Sequence, residues 1–166
     1  MMLTRVAKET DLYSLAAIYS DLYNGSVLKE EWSVEKAYKL LHFYYSLQPD
    51  IFIIAEEDSN IVGGVASLIK PWFNGNRLIE TEIFVGKNWQ NQGIASRLFI
   101  EHFKRAMDLY DVKIIEVHSY QEENGFPLNW YRKQGYTIVD DLYIINGNIQ
   151  QVYYYLNNRL GSNRYL

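Results

Sequence analysis

The sequence predicts an α/β fold in a single domain, and three observations carry that expectation. β-Branched runs and stretches of helical period interleave in the order β-α-α-β-β-β-α-β-α-β-β, with no internal repeat and no linker-like segment. The chain has 166 residues, 48% hydrophobic and 22% charged, enough for one sizeable core and unlike a disordered composition. Between Val85 and Leu98 a strand crosses a short polar turn and enters an amphipathic helix directly.

Met2 to Ala7 alternates loosely and reads as a first strand. Thr10 or Asp11 can cap a helix to about Tyr23, with Leu12, Leu15, Ala16, Tyr19 and Leu22 on one face, and Asn24-Gly25-Ser26 breaks it. Ser33 caps a second helix through about Leu47, with Val34, Ala37, Tyr38, Leu41 and Tyr45 as its apolar stripe, and Pro49-Asp50 stops it. Ile51 to Glu56 and Ile61 to Ile69 flank the turn Asp58-Ser59-Asn60 and read as a hairpin. Pro71 to Asn76 is a loop, and Arg77 to Val85 the central strand.

The next helix starts at about Gly93 and runs to about Tyr110, with apolar residues at 94, 95, 98, 99, 103, 106, 107 and 110. Val112 to Ser119 is another strand, Gln121 to Gly125 a polar loop, and Phe126 to Gln134 a short helix, with Gly135 where a helix C-terminus wants glycine. Tyr136 to Ile145 and Ile149 to Leu156 flank Asn146-Gly147-Asn148 and predict a closing β-hairpin. Asn157 to Leu166 reads as a frayed polar tail, so the domain is expected to span residues 1–156.

Composition excludes several classes of function. The net charge of −4 argues against a general nucleic-acid binder. No run of 18 or more apolar residues is present, so no membrane span is expected. Met1 to Thr10 lacks the apolar centre of a signal peptide, and the cysteine count is zero, which together fit a cytoplasmic protein. Without cysteine there is no disulfide, no thiolate metal site and no cysteine nucleophile. His42, His102 and His118 have no metal-ligand spacing, so no metal is expected.

The strand–turn–helix stretch has the parts of an anion site. The first N–H groups of a helix have no internal partner, and the helix dipole adds partial positive charge there. Gly93 lets an anion approach the main chain, Ala95 is nearly as small, and Gln90 and Gln92 can donate further hydrogen bonds. Neither the glycine pattern of a P-loop nor that of a dinucleotide-binding Rossmann turn occurs. Val85 followed by Gln90-x-x-Gly93-x-Ala95 resembles the pyrophosphate-binding motif of the GNAT superfamily, the Gcn5-related N-acetyltransferases.

A second stretch strengthens the resemblance. Asn124, Tyr131, Lys133, Gly135 and Tyr136 match the late GNAT segment Asn-x-x-Ala-x-x-Leu/Phe-Tyr-x-Lys-x-Gly-Phe/Tyr, whereas Pro127 and Trp130 depart from it. Proline is tolerated in a first helical turn. The element order also resembles that of the family over about residues 1–156. The fold so implied is α/β (α+β), a mixed sheet flanked by helices on both faces. Its central strand, Arg77 to Val85, and the following strand, Val112 to Ser119, splay apart to receive a cofactor.

The resemblance implies acetyl transfer from acetyl-CoA (coenzyme A) to an amine. Since an acyl-cysteine is impossible here, direct attack by the amine in a ternary complex is the economical route. The pyrophosphate is expected on Gln90, Asn91, Gln92, Gly93, Ile94, Ala95 and Ser96, mainly through main-chain N–H groups. The pantetheine arm is expected along the backbone of Phe84 and Val85, with Asn124 and Tyr131 as further cofactor contacts. Tyr131 stands at the family's position for the general acid. A phenol of pKa about 10 can protonate a thiolate whose thiol titrates near about 8.5 if the site shifts one of them.

The base is read from the central strand. Glu80 and Glu82 are two apart and are expected on one face, with Glu82 three residues before Val85 and nearest the acceptor amine. A carboxylate of pKa about 4.3 is a weak direct base for an ammonium of pKa about 10, so Glu82 needs burial, a relaying water, or a role in binding alone. His118, at the end of a strand near the wedge, is the alternative base; His42 lies in the acceptor-side helix and His102 reads as a surface or core residue.

Trp32, Phe43, Tyr44, Trp72, Phe73 and Tyr120 fall in segments expected around the acceptor mouth. Aromatic walls with a carboxylate suit a small-molecule amine better than a protein amine. The alternative to an enzyme is a non-catalytic coenzyme A-binding sensor, or a protein-interaction module. The Val152-Tyr153-Tyr154-Tyr155 strand is equally suited to its own sheet and to a homodimer contact.

Overall fold

A computed structural model describes residues 2–24, 30–119, 125–140, 142 and 144–162. Strands β1 (Met2–Val6), β2 (Ile53–Glu57), β3 (Asn60–Lys70), β4 (Asn76–Val85) and β5 (Val112–Ile115) form one sheet in the order β1-β2-β3-β4-β5. The first four pair antiparallel and β4 pairs with β5 in parallel, so the sheet is mixed as expected. The helices are α1 (Leu12–Tyr23), α2 (Val34–Leu47), α3 (Ile94–Tyr110), α4 (Leu128–Lys133) and α5 (Ile149–Ser162).

Both faces of the sheet are covered, and β2 shows why. Its apolar run is continuous, which suits a strand buried on two sides. Phe52 and Ile54 pack with Leu12, Leu15, Ala37 and Leu41 of α1 and α2, while Ile53 and Ala55 pack with Ile94, Leu98 and Phe99 of α3. Ser33 caps α2 by accepting from the N–H of Lys36 at 3.2 Å. The β2–β3 turn has Asp58 and Ser59 at φ 47° and 67°, the paired left-handed residues that match the twist of a two-residue hairpin.

The sheet splays between β4 and β5. Asn76, Arg77 and Leu78 pair with Val112, Ile114 and Ile115, and the N–H of Glu116 reaches the carbonyl of Leu78 at 2.9 Å. An Arg77–Glu116 ion pair and the Asn76 amide on the Tyr110 carbonyl at 2.7 Å hold this end closed. Beyond Leu78 the two strands share no ladder. The departure coincides with a β-bulge: against β3 the register runs Ala66↔Glu82 but Leu68↔Ile79, so Glu80 and Thr81 together face Ser67. Glu80 takes φ 49°, a left-handed backbone without glycine.

The C-terminal part differs from the sequence expectation. Residues 144–148 are irregular and Ile149–Ser162 is helical, so no closing hairpin forms among the described residues and the expected polar tail is helix as far as Ser162. The reason lies in Asn148: its side-chain oxygen accepts from the N–H groups of Gln150 and Gln151 at 3.0 and 3.2 Å, a helix N-cap in place of a hairpin turn. The strand predicted to Ser119 ends at Ile115.

Candidate acetyl-transfer site

The turn expected to hold phosphate is built by local chemistry. After β4, Lys87–Trp89 forms one 3-10 turn, and Gly93 at φ 77° delivers the chain into α3. A Cβ built on Gly93 would meet no heavy atom within 4 Å, so the space beside the helix start is open. Ile94, Ala95 and Ser96 are the first three helical residues, and the first intrahelical acceptor, the Gly93 carbonyl, is taken by the N–H of Arg97 at 3.1 Å. Their three N–H groups therefore have no partner within the helix and can meet an anion. The two glutamines turn back on the loop instead: Gln90 donates to the Val85 carbonyl at 3.1 Å and Gln92 to that of Asn88 at 3.4 Å. They brace the turn, with Asn91 at φ 61° between them.

The strand edge facing the gap follows from the register. Gly86 donates to Val62 at 2.9 Å, and Phe84 and Glu82 pair in the same phase with Gly64 and Ala66. The main-chain groups of Phe84 thus face β3, and those of Val85 and Ile83 face the opening toward β5. Gly63 makes the close β3–β4 approach possible, since a Cβ there would stand 2.5 Å from the Phe84 carbonyl oxygen. The expected open-edge pair Phe84–Val85 is accordingly replaced by Ile83 and Val85. The Ile83 carbonyl also lies 3.4 Å from the Tyr23 hydroxyl.

Glu82 lies on the α1–α2 side of β4. Its Oε2 accepts a hydrogen bond from the Tyr19 hydroxyl at 3.0 Å. Burial pushes its carboxyl above the ordinary carboxylate range; the Tyr19 bond pulls in the opposite direction, and Glu30 and Glu80 push upward again. Tyr19 itself is raised by burial and by the Glu82 charge, and Tyr44 by burial followed by Glu82 and Glu80. Trp32 meets Tyr19 edge-on at 5.1 Å, and Phe84 does so at 5.2 Å. The Tyr19 ring that bonds this carboxylate thus packs among aromatic neighbours, with acidic charge close by.

Tyr131, 8% exposed, projects from α4 on the other side of β4, in the apolar cluster that holds Val85, Ile94 and Leu98. Tyr136 meets it edge-on at 5.1 Å, and the Tyr136 hydroxyl is buried with no hydrogen-bond partner among the described residues. Burial raises that phenol to about 12. Gly135 at φ 92° closes the helix, with the Tyr136 N–H on the Tyr131 carbonyl at 3.2 Å.

Other expected residues fall elsewhere. Asn124 and Tyr120 lie outside the described residues. Trp72 and Phe73 sit on the β3–β4 loop at the closed end of β4, where Trp72 stacks under Lys70 and Arg77 rather than near Glu82. Phe43 is 48% exposed and touches Tyr44 edge-on. His42 is exposed on α2, stacked on Tyr38, 3.8 Å from Glu9. His118 is exposed three residues beyond β5, and His102 is fully buried. Tyr19 and Tyr23 were not foreseen as site residues. A tyrosine within the buried stripe of a helix must find a partner for its hydroxyl, and that signal was present in the sequence.

Comparisons with known proteins agree with this geometry. The model of the acetyltransferase (GNAT) domain matches residues 48–138, more than half of the chain. A search of curated proteins finds no match. Among solved structures, a possible acetyltransferase from Clostridium difficile 630 aligns with TM-score 0.70 at 16% identity, over 89% of this chain and 99% of its own. A predicted acetyltransferase from Clostridium acetobutylicum with acetyl-CoA aligns with TM-score 0.68 at 17% identity, over 88% and 96%. An aminoglycoside N-acetyltransferase in complex with CoA aligns with TM-score 0.66 at 16% identity, over 89% and 95%. These likenesses are of fold, and with the domain match they establish that this chain belongs to the GNAT acetyltransferase family.

Proposed function

We propose that this acetyltransferase moves an acetyl group from acetyl-CoA to the amine of a small cationic molecule. The observation that carries the reading is Glu82, a half-buried carboxylate bonded to Tyr19, whose ring packs against Trp32 and Phe84, with Glu30 and Glu80 as its charged neighbours among the described residues. An ammonium group is the natural occupant of such a place, through ion pairing and cation–π contact. The structurally similar aminoglycoside N-acetyltransferase acts on small amines by its name.

Acetyl-CoA, when bound, supplies an activated thioester. The N–H groups of Ile94, Ala95 and Ser96 would hold its pyrophosphate, with Gly93 leaving room for the oxygens and Gln90, Asn91 and Gln92 shaping the turn. Ile83 and Val85 would offer main-chain donors along the open edge, one of them toward the thioester carbonyl. Glu82 would accept a proton from the ammonium, directly or through water, its basicity raised by burial. Tyr131 would donate a proton to the departing sulfur from the opposite side of β4.

The test is a pair of measurements: melting with acetyl-CoA, then free-thiol release across polyamines, aminoglycosides, amino acids and peptides. Ligand at 100 times its Kd adds about 2.7 kcal/mol of stability. Stabilisation with release by a di- or polycationic small molecule supports the proposal. Release only by peptides overturns its acceptor half, and no stabilisation overturns the donor half.

A further inference from the structure

The β4 bulge is held by a buried polar chain that the chemistry above does not use. The Nδ1 of His102 lies 2.6 Å from the Ile51 carbonyl, its Nε2 lies 2.9 Å from Ser67 Oγ, and Ser67 Oγ lies 2.9 Å from Thr81 Oγ1. A carbonyl only accepts, so Nδ1 carries hydrogen. Burial holds the imidazole neutral down to about 4. Its Nε2 must then accept from Ser67, and Ser67 must accept from Thr81. One carbonyl in the 3-10 turn before β2 thus sets the direction of the whole chain, Thr81 to Ser67 to His102 to Ile51.

The members come from the elements that matter for the site. His102 is on α3, the helix whose first turn faces the expected pyrophosphate. Thr81 is half of the bulge, next to the left-handed Glu80 on one side and Glu82 on the other. A left-handed residue with a side chain persists only where its surroundings impose it. Ser67, 1% exposed, is the residue both bulge positions face, and its hydroxyl links them to α3.

We propose that the Thr81–Ser67–His102 chain is a positioning device that fixes the open edge of β4 at a set distance from the start of α3. Acetyl-CoA must span those two places at once, so the chain governs its binding. The inference rests on the acetyl-CoA reading above. Thr81→Val removes only the hydroxyl and Thr81→Ser keeps it, and calorimetric titration with acetyl-CoA reads the effect without an acceptor. Thr81→Val is expected to raise the Kd at least tenfold, and Thr81→Ser to stay within threefold of wild type, at a temperature where all are folded. Should Thr81→Val not fold, Ser67→Ala carries the same expectation. A Kd within twofold of wild type in the variant lacking the hydroxyl, or an equal defect in Thr81→Ser, overturns the device while leaving the acetyl-CoA reading intact. No binding by wild type itself overturns both.

Discussion

The Tyr19 hydroxyl donates to Glu82 Oε2 at 3.0 Å, joining the first helix to the central strand across 63 residues of sequence. The bond favours the ionised carboxylate, against the burial that disfavours it. As the proposed base, Glu82 would act only when ionised, so activity should rise with pH through its titration. Tyr19→Phe removes the stabilising donor, and the acidic limb of kcat/KM against pH is expected to move to higher pH. A limb that moves to lower pH contradicts the assignment. Glu82→Gln is expected to lower kcat by about 10²–10⁴, the usual range for a lost general base.

Tyr131 separates chemistry from packing. Tyr131→Phe keeps the ring in its cluster with Val85 and Ile94 and deletes the hydroxyl. The expected result is a loss of kcat of about 10² or more with acetyl-CoA affinity unchanged. Tyr136→Phe, which deletes a hydroxyl without a partner among the described residues, should leave kcat within about threefold and stability unchanged or slightly higher. If the two variants exchange these behaviours, Tyr136 is the acid.

His102 makes stability depend on pH. An unfolded histidine titrates near about 6.5, and this one near about 4 when folded. The folded state therefore holds fewer protons between those values. Its contribution is complete above about pH 6.5 and is lost as pH falls toward about 4, in total about 3 kcal/mol. Glu82, raised in the folded state, acts in the opposite sense as pH rises past the ordinary carboxylate range. The His102 share is thus the difference between wild type and His102→Gln in urea unfolding at pH 7.5 and pH 5. A variant with the same pH slope as wild type would contradict the buried neutral ring.

What the sequence made legible was what local chemistry decides. Ser33 caps α2 and Gly93 starts α3 because caps and left-handed turns depend on residues within a few positions. Alternation along a strand was enough to single out Glu82 as a candidate. The bulge beside it was not legible, because Glu80 and Thr81 are not glycines and their partners are remote in sequence: Ser67 stands 14 residues from Thr81, and His102 35 residues from Ser67. Phe84 and Ile83 were exchanged on the open edge for a related reason: which way a main-chain group points depends on pairing phase, which sequence does not carry. The C-terminal hairpin failed where Asn148 had two competent uses, turn and cap, and the cap prevailed.

Binding of acetyl-CoA by the Gly93 turn and the open β4 edge, as proposed, is decided by calorimetric titration of wild type beside Gly93→Asp. Aspartate and asparagine are the side-chain-bearing residues that best tolerate the left-handed backbone at Gly93, so both variants carry similar strain and Gly93→Asn is the control for it. Aspartate also puts a carboxylate into the open space where an anion would sit. Saturable binding by wild type is expected, with a Kd at least tenfold weaker in Gly93→Asp and Gly93→Asn in between. Equal binding by all three, or none by wild type, would contradict the proposal.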